Sequence, residues 1–269
     1  MTTAGNDGDK RSGVTVVGSA NIDAVFTVEC IPLPGETLIA ESTARFPGGK
    51  GLNQAVAAAR AGAPTSLLGA IGADGDLLIE AMTEAGVRGE LIRRVQGPSG
   101  QAFIVVDASG ENTIIVSSGA NATVTDLRRN EIAAISSNGV LLMQLELPLG
   151  LIALAAAQAR SAGTTVILNA APARPLPGSL LADTDILVVN EHEACLIADR
   201  PDLTTASALL AGLVDRLIVT LGENGSVVYL AGEELARVPA RRVPVVDTTG
   251  AGDVFCGALA SAIAGGDDL

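Results

Sequence analysis

Six short apolar runs recur along the chain: VTVVGSA at 14–20, SLLGAIG at 66–72, VLLMQLE at 140–146, TVILNAA at 165–171, ILVVN at 186–190 and RLIVTLG at 216–222. Each is short, strongly apolar and bounded by polar or glycine positions, which predicts a buried strand. Between them lie Ala-rich stretches with helical spacing near 50–61, 74–86, 125–136, 148–162 and 203–214. Near-continuous apolar strands alternating with helices predict an α/β domain built on a mostly parallel sheet covered on both faces.

Two stretches break this rhythm. Residues 24–46 and 95–118 alternate apolar and polar positions without a helix, as in FIVVDASGENTIIV at 103–116 with Gly110 near the turn. Such alternation reads as hairpins. A small antiparallel flap made of two insertions is the simplest account, and ordinary edge strands are the plainer one. The longest apolar stretch, near 139–159, is interrupted by Gln144, Glu146 and Pro148, so a strand, a turn and a helix are expected there rather than a membrane span. Residues 1–12 are polar, read as a disordered tail, and lack the apolar segment of a signal peptide. The remainder, 13–269, reads as one domain.

Composition narrows the function. The formal net charge of −13 disfavours nucleic acid and anionic membrane surfaces as partners, but not a small phosphorylated ligand. Three scattered cysteines (Cys30, Cys195, Cys256) and a single histidine, His192, argue against a disulfide framework or a zinc site and fit the cytoplasm.

In open parallel sheets, ligands bind beyond the carboxyl ends of the strands. The residues just past the predicted strands are polar: Asn21 and Asp23 in GSANID, Glu146, Asn169, Asn190 and Glu193 in NEHE, and Gly222 and Gly225 in TLGENG. Any one of them could be a helix cap or turn former, but their repetition favours a site.

Two glycine turns open helices. Pro47-Gly48-Gly49 precedes an Ala-rich helix whose first turn carries Lys50, one of only two lysines in the chain. A cation there opposes the helix dipole, so a solvated face or a nearby carboxylate or polar ligand is needed to explain it. Neither GGKG nor GAGDVF has the spacing of a P-loop or a dinucleotide fingerprint. The second turn, DTTGAGDVF at 247–255, runs into a helix of small residues beginning at about Asp253. Gly250, Ala251 and Gly252 would offer backbone N–H groups to an anion. Asp253 either complements the helix N-terminus or serves as a base.

Three functions compete. A kinase acting on a small polyol uses an anion-holding helix start, an adjacent carboxylate, and hydroxyl-binding groups such as Asn21, Asp23, Asn53 and Glu146. A sugar-binding module needs the last set but has no use for GAGD. A nicotinamide-dependent dehydrogenase needs an early GxGxxG, which is missing from the sequence.

The motifs GSANID, PGET, PGGKGLNQAVAAARAG, NTIIVSSGAN, QLELP, LNAAPAR, NEHE, TLGENG and DTTGAGD occur in the order found in the ribokinase-like sugar kinases, also called the phosphofructokinase-B family, and span residue 14 to the end. The resemblance implies a three-layer αβα sandwich with a mostly parallel central sheet and a small antiparallel β lid. It also implies transfer of the γ-phosphate of ATP to the 5-hydroxyl of ribose, with Mg²⁺ and a monovalent cation such as K⁺. Related acceptors are another pentose, deoxyribose or a nucleoside. By position, Asn21, Asp23, Gly48, Gly49, Lys50, Asn53 and Glu146 match the family's sugar contacts. Asn190 and Glu193 match its Asn-x-x-Glu motif, associated with Mg²⁺ and phosphate, and Thr220, Gly222 and Gly225 match nucleotide contacts. Asp247 and Thr249 match part of the monovalent-cation site, Gly250, Ala251 and Gly252 the anion hole, and Asp253 the catalytic base. The family's lid commonly closes over the sugar and joins a homodimer.

Two departures stand out. Leu52 occupies a position where the family usually has a smaller residue. The family also continues for several tens of residues beyond the point matching Leu269, so one wall of the adenine pocket, further cation ligands and a final helix are expected to have no counterpart in these 269 residues, which would leave a catalytically impaired sugar-binding form as an alternative.

Overall fold

The structure, a computed structural model, describes residues 12–244 and 248–268. The chain runs through β1 (Val14–Val17), β2 (Asn21–Thr27), β3 (Ser42–Gly48), α1 (Lys50–Arg60), β4 (Thr65–Ile71), α2 (Asp76–Glu84) and β5 (Ile92–Arg94). It continues with β6 (Gly100–Val106), β7 (Asn112–Ser117), α3 (Arg129–Ser137), β8 (Val140–Met143), α4 (Leu149–Ala162), β9 (Thr165–Asn169) and α5 (Gly178–Ala182). The last third is β10 (Ile186–Asn190), α6 (Glu191–Ala198), α7 (Leu203–Ala211), β11 (Arg216–Thr220), β12 (Ser226–Leu230), β13 (Glu233–Val238) and α8 (Ala251–Gly265).

Nine strands form the main sheet in the order β13-β12-β11-β10-β9-β8-β1-β4-β5. The pairs from β11 across to β5 are parallel, and β12 and β13 are added antiparallel at one edge. All six apolar runs became main-sheet strands, and the alternation of side chains along them explains the layering. Val17, Leu68, Leu141, Val166, Leu187 and Leu217 point into a core shared with α3 to α7. Their neighbours Val16, Leu67, Leu142, Ile167, Ile186 and Ile218 point into a second core shared with α1, α2 and α8. A sheet buried on both faces has no polar side, which is why these strands read as continuous apolar runs. The apolar stretch near 139–159 is a strand, a turn and a helix, and no helix among the described residues is long and apolar enough to cross a membrane.

A second sheet of four strands, in the order β3-β2-β6-β7, stands beside the first. Its outer pairs are antiparallel, and its central pair, β2 with β6, is parallel. The β6–β7 hairpin turns at Gly110, whose φ of 86° lies in the left-handed region, and its N–H donates to Asp107 O. The edge strand β7 is exposed throughout, with Ile114, Ile115 and Val116 open to solvent, as is Ile39 in the segment before β3.

Helix α6 differs from the sequence expectation, which left no helix there. It starts directly at the end of β10, with Asn190 both the last strand residue and the helix cap, so no loop separates the two periodicities. Helix α8 starts two residues before Asp253, at Ala251.

Candidate active site

The site is built where α1 crosses α8. Gly257 sets the distance between them: a Cβ there would stand 2.5 Å from Gln54 O and from Ala57 Cβ, so only a glycine lets the two backbones meet. Asp253 lies one turn before Gly257 on the same helical face. The crossing therefore carries the Asp253 carboxylate against the start of α1. Gln54 Nε2 donates to its Oδ1 at 2.9 Å, and Asn53 Nδ2 donates to its Oδ2 at 3.1 Å. Asp253 is buried, whereas Ala251 and Gly252 in the same turn are exposed.

Gly250 is the N-cap of α8 with φ 73°, a left-handed conformation that suits glycine. A Cβ on Gly252 would meet nothing within 4 Å. Ala251 N donates to Thr248 O at 3.1 Å within the turn, and the rest of the first turn of α8 borders open space beside a buried carboxylate, an arrangement that can hold an anion and accept a proton at neighbouring points.

The strand-end polar residues converge at the junction of the two sheets. Asn21 and Gly48 are register partners on β2 and β3. Asn21 Oδ1 accepts from Asn121 Nδ2 at 2.7 Å, and Asn121 Oδ1 accepts from Ala20 N at 3.1 Å. Asp23 is half-buried, and burial, reinforced by the nearby Glu146 charge, pushes its carboxyl up to about 6. Its Oδ1 is buried with no hydrogen-bond partner in the protein. An orphaned carboxylate oxygen of that kind is suited to a ligand donor.

Glu146 has a role in holding the glycine turn that its strand-end position did not suggest. Its Oε2 accepts from Ser19 Oγ and from Lys50 N, and Ser19 Oγ in turn accepts from Gly51 N. The Gly48-Gly49-Lys50 turn is thereby tied to the ends of β1 and β8. Gly49, the N-cap of α1, has φ 88°.

On the other side, Asn190 and Thr220 are register partners at the ends of β10 and β11. Asn190 and Glu193 form a capping box: Asn190 Oδ1 accepts from Glu193 N, and Glu193 Oε2 accepts from Asn190 N, each at 2.8 Å. Burial raises the Glu193 carboxyl above its usual range, the Asn190 N–H and the charges of Lys50 and His192 oppose the shift, and the charge of Asp253 adds to it. Lys50, Glu193 and Asp253 therefore share one electrostatic neighbourhood. Gly222 and Gly225 follow β11, and a Cβ on Gly225 would overlap Val238 O, so this glycine is required by the β12–β13 edge whatever else it touches. Thr249 precedes Gly250 in the turn, and Asp247 lies outside the described residues.

Three buried polar residues that the sequence did not mark as functional, Gln54, Gln144 and Asn121, complete the arrangement together with the strand-end Asn169. Gln54 Nε2 also donates to Asn169 Oδ1 at 3.0 Å, and Gln54 Oε1 accepts from Gln144 Nε2 at 2.6 Å. Gln54 and Gln144 are fully buried, and Asn121 and Asn169 nearly so. A signal for Gln54 was available: it falls within the buried stripe Gly51, Leu52, Gln54, Ala55, Ala58 of α1, where an amide requires partners.

A three-layer αβα fold with an open helix start, a fixed carboxylate and polar groups clustered at the strand ends is the architecture of a small-molecule kinase. The chain belongs to the pfkB family of carbohydrate kinases, whose pattern matches residues 11–269. It is 39% identical over 261 residues to a ribokinase of Staphylococcus aureus (strain COL), covering 92% of this chain and 85% of that one. Arabidopsis thaliana ribokinase, solved in complex with ribose and ATP, superposes with a TM-score of 0.90 at 33% identity, covering 96% of this chain and 88% of the other. The ribokinase of Thermotoga maritima superposes with a TM-score of 0.88 at 36% identity, covering 96% and 87%.

Proposed function

We propose that this chain transfers the γ-phosphoryl group of ATP to the 5-hydroxyl of D-ribose, with Asp253 as the general base. The observation that carries the reading is the pairing of Asp253, buried and held by two amides, with the open first turn of α8. The similarity to ribokinases, one of them solved with ribose and ATP, supports ribose and ATP as the substrates.

Phosphoryl transfer is mainly a problem of positioning and charge stabilisation. Asn21, Asp23, Asn53 and the Gly48-Gly49-Lys50 turn bind the sugar hydroxyls, and the unpartnered Asp23 Oδ1 accepts one of them. Glu146 keeps the turn in place through Lys50 N. As the 5-hydroxyl oxygen forms its bond to the γ-phosphorus, its proton passes to Asp253 and the bond to the ADP oxygen breaks. The N–H groups of Gly250 and Gly252, joined by Ala251 N when it leaves Thr248 O, stabilise the charge on the transferring group. Asn190, Thr220, Gly222 and Gly225 lie along the nucleotide.

Mg²⁺ would arrive with the ATP phosphates and needs few protein ligands. The half-buried Glu193 carboxylate, next to Lys50 and Asp253, fits an indirect role in holding it. When bound, the ion neutralises phosphate charge. For K⁺, Thr249, exposed in the turn before Gly250, is the described one of the two candidate residues. We also propose a homodimer through the exposed apolar side chains of the small sheet, acting as a lid, and a cytoplasmic enzyme without nucleic-acid or membrane partners.

ADP release with ribose, deoxyribose, other pentoses and nucleosides, with and without K⁺, tests the reading. Ribose should give the highest kcat/KM. Ribose binding without ADP release would replace the enzyme by a sugar-binding protein.

A further inference from the structure

We infer that Gln54 is a positioning residue for the general base, fixing the Asp253 carboxylate through a one-way chain of buried amides; the inference rests on the reading of Asp253 as the base. The direction of the chain follows from chemistry. An ionised carboxylate only accepts, so the amide nitrogen of Gln54 must face it. Both N–H bonds of that nitrogen are then used, one on Asp253 Oδ1 at 2.9 Å and one on Asn169 Oδ1 at 3.0 Å. The Gln54 carbonyl is left facing Gln144, whose nitrogen donates to it at 2.6 Å. The chain ends at Gln144 Oε1, which is buried and has no partner.

The consequence is asymmetry in the base. Oδ1 is held in the interior by Gln54, which is fully buried. Oδ2 is held by Asn53, which is only partly buried, so it is the oxygen on the side open to a hydroxyl. Gln54 therefore selects the rotamer of Asp253 without meeting the sugar.

The experiment compares the full chain with Gln54→Met, Gln144→Met and Asp253→Asn, measuring ribose turnover by ADP release and ribose affinity by calorimetry. In Gln54→Met, turnover should fall on the order of tenfold or more as the carboxylate loses its fixed geometry, while ribose affinity stays within about threefold, a split that a general loss of structure would not give. A Gln54→Met protein that binds ribose with turnover within about twofold of the parent overturns the inference. If Gln54→Met does not fold, Gln144→Met carries the test with a smaller fall in turnover at unchanged ribose affinity, and unchanged turnover there overturns it equally. Normal turnover by Asp253→Asn would overturn the base reading itself, whereas an inactive Asp253→Asn beside an unchanged Gln54→Met would sink only the role of Gln54.

Discussion

Gly48 lies against Asp23 so closely that a Cβ at position 48 would overlap the aspartate carboxylate. Gly48 is opposite Asn21 in the β2–β3 ladder, so Asp23 is its diagonal neighbour on the same face. The bare backbone at Gly48 is what gives the carboxylate room. Gly48→Ala should displace Asp23 and raise the ribose KM by about 10- to 100-fold, the cost of one lost buried partner of roughly 1–3 kcal/mol. Steady-state kinetics checks this, and an unchanged KM would remove Asp23 from the sugar site.

Asp23 also gives a pH signature. Its carboxyl sits at about 6 in the fold against 3.8 unperturbed, because of burial first and the Glu146 charge second. The folded state therefore holds the proton more tightly than the unfolded chain. That contribution to stability is complete below about pH 4 and is lost as pH rises through about 6. Above that range the empty site contains a destabilising charge, which a donating sugar hydroxyl relieves. Ribose should raise Tm more at about pH 7.5 than at about pH 5, and its binding near pH 6 should release protons. An equal Tm shift at both pH values would contradict the hydroxyl–Asp23 contact.

Gly257 offers a test that touches no ligand. Gly257→Ala must push α8 away from Gln54 and Ala57, where the added carbon would stand at 2.5 Å. Overpacking of this kind typically costs 1–3 kcal/mol. Because Asp253 lies on the same face, turnover should fall by more than tenfold, on the order expected for a misplacement near 1 Å. Denaturant unfolding alongside kinetics separates the two effects. A destabilised variant with full turnover would show that the helix crossing does not set the position of the base.

Asn121 ties the far end of the second sheet to Asn21 and Ala20. Asn121→Ala leaves the Ala20 N–H without its partner and releases the Asn21 side chain. The expected result is a stability loss of about 1–3 kcal/mol and a weaker ribose affinity with kcat affected less. Calorimetry on the folded variant checks it, and unchanged affinity would confine Asn121 to a structural role.

The sequence made the main sheet legible because burial on both faces leaves β1, β4, β8, β9, β10 and β11 near-continuously apolar, with their polar residues mostly at the strand ends. The edge strand β13 escaped notice because all of Glu233–Val238 is exposed and lacks an apolar signature. In the candidate site, Asp253 and the glycine turns were legible as local motifs. The Gln54–Gln144–Asn169 chain was not, since its hydrogen bonds join residues that are 90 and 115 positions apart in sequence. Glu146 and Glu193 were visible as strand-end acids, but their backbone partners, Lys50 N and Asn190 N, emerged only with the folded turns.

The most direct test is formation of ADP and ribose 5-phosphate by the full chain and by Asp253→Asn, with ribose affinity measured for both. Removing a general base typically costs 10²–10⁴-fold, so Asp253→Asn should lose about that much turnover while still binding ribose. Near-normal turnover by Asp253→Asn, or ribose binding by the parent chain without any phosphorylated sugar, would contradict the account.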